Sequence, residues 1–281
     1  MPSLTFYAWV NPAFWSHAPV DHTWVTSYDS RVTPYHSIGK VKKAGQVNWY
    51  CWGDFHISGN PPDPIAVQAG SGSLAQCLVL GNAESKTNPA AQGTIFTYGV
   101  DGVCHQLANQ VLYATGSASQ PPATVKNARG YGLSSFLYGT YGLQHAAWLL
   151  KLQGCLSQSS PLSGLPMKLG ETRLGEPAMP DLRDDFADRA QTVLADDPGR
   201  LSALLALRGN IQTYLSARVP GFTAPTAEML NARNQHMLDQ AALLLEPEQF
   251  RQLFGVEPGE RVDLIDPTKA GEPRSGGAPT S

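Results

Sequence analysis

Charged residues make up only 15% of the 281-residue sequence, against roughly a quarter in an average soluble domain. The formal net charge is -3, which leaves no basic field to attract nucleic acid or an anionic membrane surface. Apolar runs are short, and none approaches the roughly 18 residues that a membrane-spanning helix needs. The N-terminus has no basic segment leading into an apolar stretch, so no cleaved signal peptide is expected. The four cysteines, Cys51, Cys77, Cys104 and Cys155, form no CxxC pair, which excludes a zinc ribbon and argues against a disulfide framework. These absences predict a protein made in the cytoplasm with free thiols; one exported without a cleaved signal would read the same. No internal repeat is evident.

What is present is unevenly spread. Of the charged residues, 14 fall up to residue 160 and 29 beyond it, while all six tryptophans and all four cysteines lie in the first part. The chain therefore divides into an aromatic, weakly charged unit over residues 1–156 and a charged helical extension over 184–268. A Ser/Pro/Gly-punctuated linker or surface excursion spans 157–183. A Gly/Pro/Ser tail over 269–281 has too little apolar content to order itself.

In the first unit, Ser3 to Val10 reads as a strand ended by Asn11-Pro12. Residues 20–29 alternate Val20, His22, Trp24, Thr26 and Tyr28 on one face, a second strand with His22 near its start. Residues 46–56, QVNWYCWGDFH, form a third. Antiparallel pairing of the last two brings His22 near Asp54 or His56. Residues 57–72 are dense in Pro, Gly and Ser and read as loop; Ser73 to Leu80 suits a short helix, and residues 128–142 a strand and turn. In the extension, three helical stretches begin near Asp184, Leu201 and Thr226, followed by a short helix from Pro247 to Phe254. The expected fold class is α+β: an antiparallel sheet with a cysteine-bearing helix packed on it, and helices added at the C-terminal side.

That cysteine-bearing helix lies in residues 98–115, YGVDGVCHQLANQVLYAT, the segment on which a functional reading turns. A turn ending at Asp101 and Gly102 leads into a helix whose first turn carries Cys104 and His105. Leu107, Ala108, Val111 and Leu112 follow Cys104 at i+3, i+4, i+7 and i+8, so the thiol shares the inward face. A thiol at a helix start sits among unpaired N–H groups and the positive end of the helix dipole, which favours thiolate. Asp101 suits an N-cap role.

Attack of a thiolate on a carbonyl needs a partner to take the thiol proton and to protonate the leaving group, and an imidazole serves both ends. His22 is the candidate. Asp54 or His56 would orient its ring, with the carboxylate of Asp54 favoured because it also stabilises imidazolium. The backbone N–H of Cys104 is placed to hold an oxyanion. His17 and His36 fall in loops and read as solvated. His105 points about 100° away from Cys104 around the helix, either lining the site or packing through hydrogen bonds. His145 and His236 read as structural, and Asn109 as satisfying buried backbone. Tyr98 and Trp52 could wall a cleft.

The order His22, then Asp54 or His56, then a cysteine opening a helix at CHQLAN, resembles the circularly permuted branch of papain-like cysteine hydrolases. That branch includes relatives of NlpC-type cell-wall peptidases, the lecithin:retinol acyltransferase group and small desumoylating isopeptidases. The resemblance covers roughly residues 1–150 and rests on order and local setting. It implies thioester chemistry on an amide or ester, without a cofactor. The expected function is hydrolysis of an amide bond in a peptidoglycan stem peptide or protein isopeptide, as in a bacterial toxin or effector, with acyl transfer as a variant. Two other readings stand beside it: a mixed zinc site formed by His22, Asp54, His56 and Cys104, and a binding or scaffold module in which Cys104 is core.

Overall fold

The computed structural model describes residues 3–13, 15–26, 51–52, 65–73, 98–116, 121–150, 183–216 and 225–267. Its sheet consists of β1 (Ser3–Pro12), β2 (Asp21–Thr26), β3 (Cys51–Trp52) and β4 (Ile65–Ser73) in the order β3-β2-β1-β4. All pairings are antiparallel, with Trp9 opposite Trp24, Asn11 opposite His22 and Val25 opposite Trp52. The expected hairpin of the second and third strands is thus present in the described pairs. Stacked Trp9 and Trp24, with ring centroids 6.4 Å apart, supply the large apolar surface that fixes this register.

Two assignments from sequence change. Residues 65–72, read as loop, belong with Ser73 to the strand β4 along β1. Their Gly/Ser-rich half masks a strand whose hydrogen bonds are made by backbone and need no particular side chains. Tyr131–Tyr138, read as strand and turn, is a helix bracketed by Gly130 and Gly139, both at positive φ. Its tyrosines suggest strand and its glycines turn by propensity, but tertiary packing overrides that weak prior. The region proposed as a helix from Ser73 to Leu80 lies outside the described residues beyond Ser73.

Among the described residues, helices position the rest: α1 (Cys104–Leu112), α2 (Tyr131–Tyr138), α3 (Asp185–Val193), α4 (Pro198–Ser216), α5 (Ala227–Ala242) and α6 (Pro247–Phe254). Residues 145–150 are also helical. The C-terminal helices follow their sequence signals: Asp184 caps α3 by accepting from the amide of Ala187, Thr226 caps α5 by accepting from Met229, and Pro247 opens α6.

These helices pack on α2. Phe136 of α2 meets Phe186 of α3 and Phe254 of α6, with ring centroids 5.1 and 5.4 Å apart. Gly132 sits where α2 crosses the end of α6, and a Cβ there would lie 1.9 Å from the carbonyl oxygen of Leu253. Arg208 of α4 donates to the carbonyls of Ser135 and Phe136 and pairs with the carboxylate of Asp184. It thereby satisfies acceptors at the C-terminal end of α2.

The last described segment closes the structure. Asn231 of α5 accepts from the Ile265 amide at 2.8 Å and donates to its carbonyl at 2.9 Å. The neighbouring amide of Asp266 donates to the hydroxyl of Tyr98, and Tyr138 donates to the carbonyl of Gly99. The turn that leads into α1 is therefore held both by α2 and by Asp266, 168 positions beyond Tyr98.

Candidate functional site around Cys104

All nine residues of α1 are buried. A helix buried on every side is ordinarily apolar throughout, but here one side carries His105, Gln106, Asn109 and Gln110. Their burial is compensated by hydrogen bonds. Gln106 donates to the carbonyl of Gly139, Asn109 to that of Thr140 and Gln110 to that of Tyr141, at 3.1, 2.8 and 2.8 Å. Three side-chain amides thus read three successive carbonyls. Asn109 also accepts from the Val125 amide and donates to the Tyr131 hydroxyl, so its predicted service to buried backbone is what it performs.

The helix start differs in one detail from expectation. Its N-cap is Val103, whose amide donates to the Gln106 side chain at 3.0 Å, the return half of a capping box. Asp101 instead lies buried in the turn, its carbonyl accepting from Leu143 at 2.8 Å. Gly142, at φ +97, approaches this same carbonyl: an added Cβ would fall 2.9 Å from it.

Cys104, the first residue of α1, is 5% exposed. Its thiol points to the carbonyl oxygen of Asp21 at 3.9 Å. Burial pushes the thiol up to about 11, against opposing help to the thiolate from the Thr23 amide and hydroxyl and from the amides of His105 and Cys104 itself. The anion-favouring groups expected of a helix start are therefore present, yet desolvation outweighs them. At neutral pH the resting thiol is protonated, a correction to the expected thiolate.

The carbonyl of one strand residue and the amide two residues on point to the same edge and bracket the residue between. Because both the Asp21 carbonyl and the Thr23 amide address the sulfur, Cys104 lies at the edge of β2 beside residue 22. His22 itself is buried, and its ring stacks on Trp24 with centroids 5.5 Å apart. Alternation puts those two rings on one face of the strand and Thr23 on the other. The structure thus brings Cys104 to the strand of His22, where the sulfur's contacts fall on Asp21 and Thr23. Asp54 and His56 lie outside the described residues.

A second histidine shares the locality. The Nε2 of His105 donates to the Asp21 carbonyl at 2.9 Å, the same oxygen that meets the thiol, and Nδ1 lies 2.8 Å from the Ser134 hydroxyl. A carbonyl can only accept, so Nε2 carries the proton and Nδ1 accepts from Ser134. Burial lowers its pKa to about 4. His105 is thus a neutral joint between α1, α2 and β2, the packing alternative of its two sequence readings. Asp21 completes the joint: its carboxylate accepts from the amide and Nε of Arg129, and its own amide donates to the Arg129 carbonyl.

The remaining candidates separate from the site. His17 is exposed with its carbonyl accepting from Asp263, His236 is exposed, and His145 packs against Tyr141 and Trp148. Tyr98 is the exception: its hydroxyl holds the C-terminal segment yet stays within electrostatic reach of Cys104, while His36 lies outside the described residues, as does the side chain of Trp52. Among the described residues no three His, Cys, Asp or Glu side chains stand together as a metal site, and no helix is long and apolar enough to cross a membrane. Asp21 and Arg129 were not singled out by sequence; only their proximity in the fold reveals them.

The chain is therefore an α+β protein in which a buried cysteine opens a helix against an antiparallel sheet. Comparison with protein-family models, with curated proteins and with solved structures finds no match.

Proposed function

We propose that the chain is a cysteine-dependent hydrolase of an amide bond, built on a permuted papain-like arrangement, with Cys104 as nucleophile and His22 as proton carrier. The observation that carries this reading is the sulfur at the first residue of α1, bracketed by the Asp21 carbonyl and the Thr23 amide on either side of His22. Because the resting thiol is protonated, attack is coupled to proton transfer. His22 takes the thiol proton as the S–C bond forms, and the amides of Cys104 and His105 face the developing oxyanion. Collapse breaks the C–N bond, and the proton on His22 leaves with the amine. Water then attacks the thioester, His22 relays its proton to sulfur, and the carboxylic acid departs. An alcohol or amine in place of water gives acyl transfer. Asp54 or His56 is the proposed orienting partner of His22, and a stem peptide of the bacterial cell wall or a protein isopeptide the proposed substrate, as for a toxin or effector.

The test is turnover of cell-wall fragments, ubiquitin-like conjugates and lipid esters by the full chain and by Cys104→Ala and His22→Ala. Loss of turnover in both variants is expected, whereas equal turnover by Cys104→Ala removes the thiol from the mechanism.

One observation favours a second reading: the 5% exposure of Cys104 and its strongly raised pKa suit a core cysteine in a binding or scaffold module. On that reading, none of these substrates is turned over and Cys104→Ala leaves the chain's binding properties intact.

A further inference from the structure

A cleft of about 560 Å³ opens where the 126–132 segment faces α3 and the end of α6. Its volume lies within the range of small-ligand and peptide sites. The floor is made by Gly130, Tyr131, Gly132 and Ser135. One wall carries Lys126 and Arg129, both exposed. The other is a single stripe of α3: Asp185, Asp188, Arg189 and Thr192 recur at i, i+3, i+4 and i+7, the spacing of one helix face. Phe186 and Ala190 of the same helix are buried in the core, so the polar stripe is the side that α3 turns to the cleft.

The two walls differ in charge. Lys126 makes one basic, the guanidinium of Arg129 being paired with Asp21; the facing stripe brings two carboxylates and one guanidinium. A polyanion would meet Asp185 and Asp188, and an apolar ligand would leave the charged walls desolvated without partners. The complementary ligand carries both a carboxylate and an ammonium group on a polar chain. The cleft is also joined to the thiol through one residue: Arg129 of its wall grips the carboxylate of Asp21, whose carbonyl meets Cys104.

We infer that this cleft is the binding site for the charged portion of a peptide substrate, with Lys126 and Arg189 receiving its carboxylate and Asp188 its ammonium group. The assignment rests on the hydrolase reading only in naming the ligand a substrate; binding itself does not depend on Cys104 chemistry.

The experiment titrates the N-acetylated, C-amidated peptide Ala-Glu-Lys-Ala, and its neutral counterpart with glutamine and acetyl-lysine and the same blocked termini, into the full Cys104→Ala chain by calorimetry at low salt. The charged peptide is expected to bind at least tenfold more tightly than the neutral one. The preference should fall at least fivefold in Arg189→Glu and in Asp188→Lys, both exposed positions whose variants are checked for unchanged melting. Equal affinity for the two peptides, no heat from the charged peptide at millimolar concentration, or a preference indifferent to both variants overturns the assignment. Charge-selective binding together with failure of every hydrolysis assay keeps the cleft and discards the hydrolase, so the two proposals fail separately.

Discussion

The side-chain amide of Asn109 donates to the carbonyl oxygen of Thr140 at 2.8 Å, in the middle of three consecutive contacts that Gln106, Asn109 and Gln110 make with residues 139–141. The loop after α2 is thereby bound to the helix that begins at Cys104. Since Asn109 also satisfies Val125 and Tyr131, its truncation strands several buried polar groups. Asn109→Ala is expected to destabilise the chain by about 3 kcal/mol, given about 1–3 kcal/mol for each buried group left unpaired. Urea unfolding followed by tryptophan fluorescence measures it.

His105 supplies a pH dependence of known sign. Its folded pKa, about 4, lies below the 6.5 of an unfolded histidine, so the unfolded state binds more protons between these values and stability rises with pH across that window. The contribution is complete above pH 6.5 and is lost as pH falls toward 4, by up to roughly 3 kcal/mol for this buried ring. His105→Gln should flatten this part of the stability profile; an unchanged slope would show that another group is responsible.

Cys104 should resist alkylation in the folded state. With its thiol near 11, the thiolate fraction at pH 8 is on the order of one in a thousand. Peptide-resolved iodoacetamide labelling is expected to be slow below pH 9 and to reach ordinary rates after denaturation. Fast native labelling at pH 6 would contradict the buried geometry. Cys104→Ala removes a single sulfur atom from a packed site and should cost about 1 kcal/mol, which makes it a folded control for every assay above.

Gly132→Ala tests the crossing of α2 and α6. The added methyl meets the Leu253 carbonyl at 1.9 Å, a backbone atom that no rotamer change can move. Separation of the two helices is expected, with a loss of about 2–4 kcal/mol, somewhat beyond ordinary overpacking because backbone rather than side chain must yield. Thermal unfolding by circular dichroism reads it, and Gly199→Ala on the exposed surface is the matched control.

Sequence pattern made the strands around Trp9 and Trp24, the Cys104 helix and the capped C-terminal helices legible, because their signals are local: alternation, i+3/i+4 spacing and cap chemistry. It failed where the deciding contacts are distant. Tyr131–Tyr138 is helical because Phe136 packs on Phe186 and Phe254, and β4 is a strand because β1 offers it an edge. Position within the site behaved likewise. The helix start of Cys104 was visible in the chain, but its burial and its contacts with Asp21 and Thr23 are set by the fold, and no local motif links those residues to it. His105 was read with two outcomes, and only its partners selected between them.

The bonds from Asn231 to Ile265 and from Asp266 to Tyr98 also impose an order on biosynthesis. A nascent chain that has emerged as far as the sheet, α1 and α2 has Tyr138 to hold Gly99 of the turn before Cys104, but still lacks Asp266, the donor to Tyr98. The hydroxyl of Tyr98, at the start of this turn, therefore gains its Asp266 donor only after the thiol's contacts with Asp21 and Thr23 can already have formed.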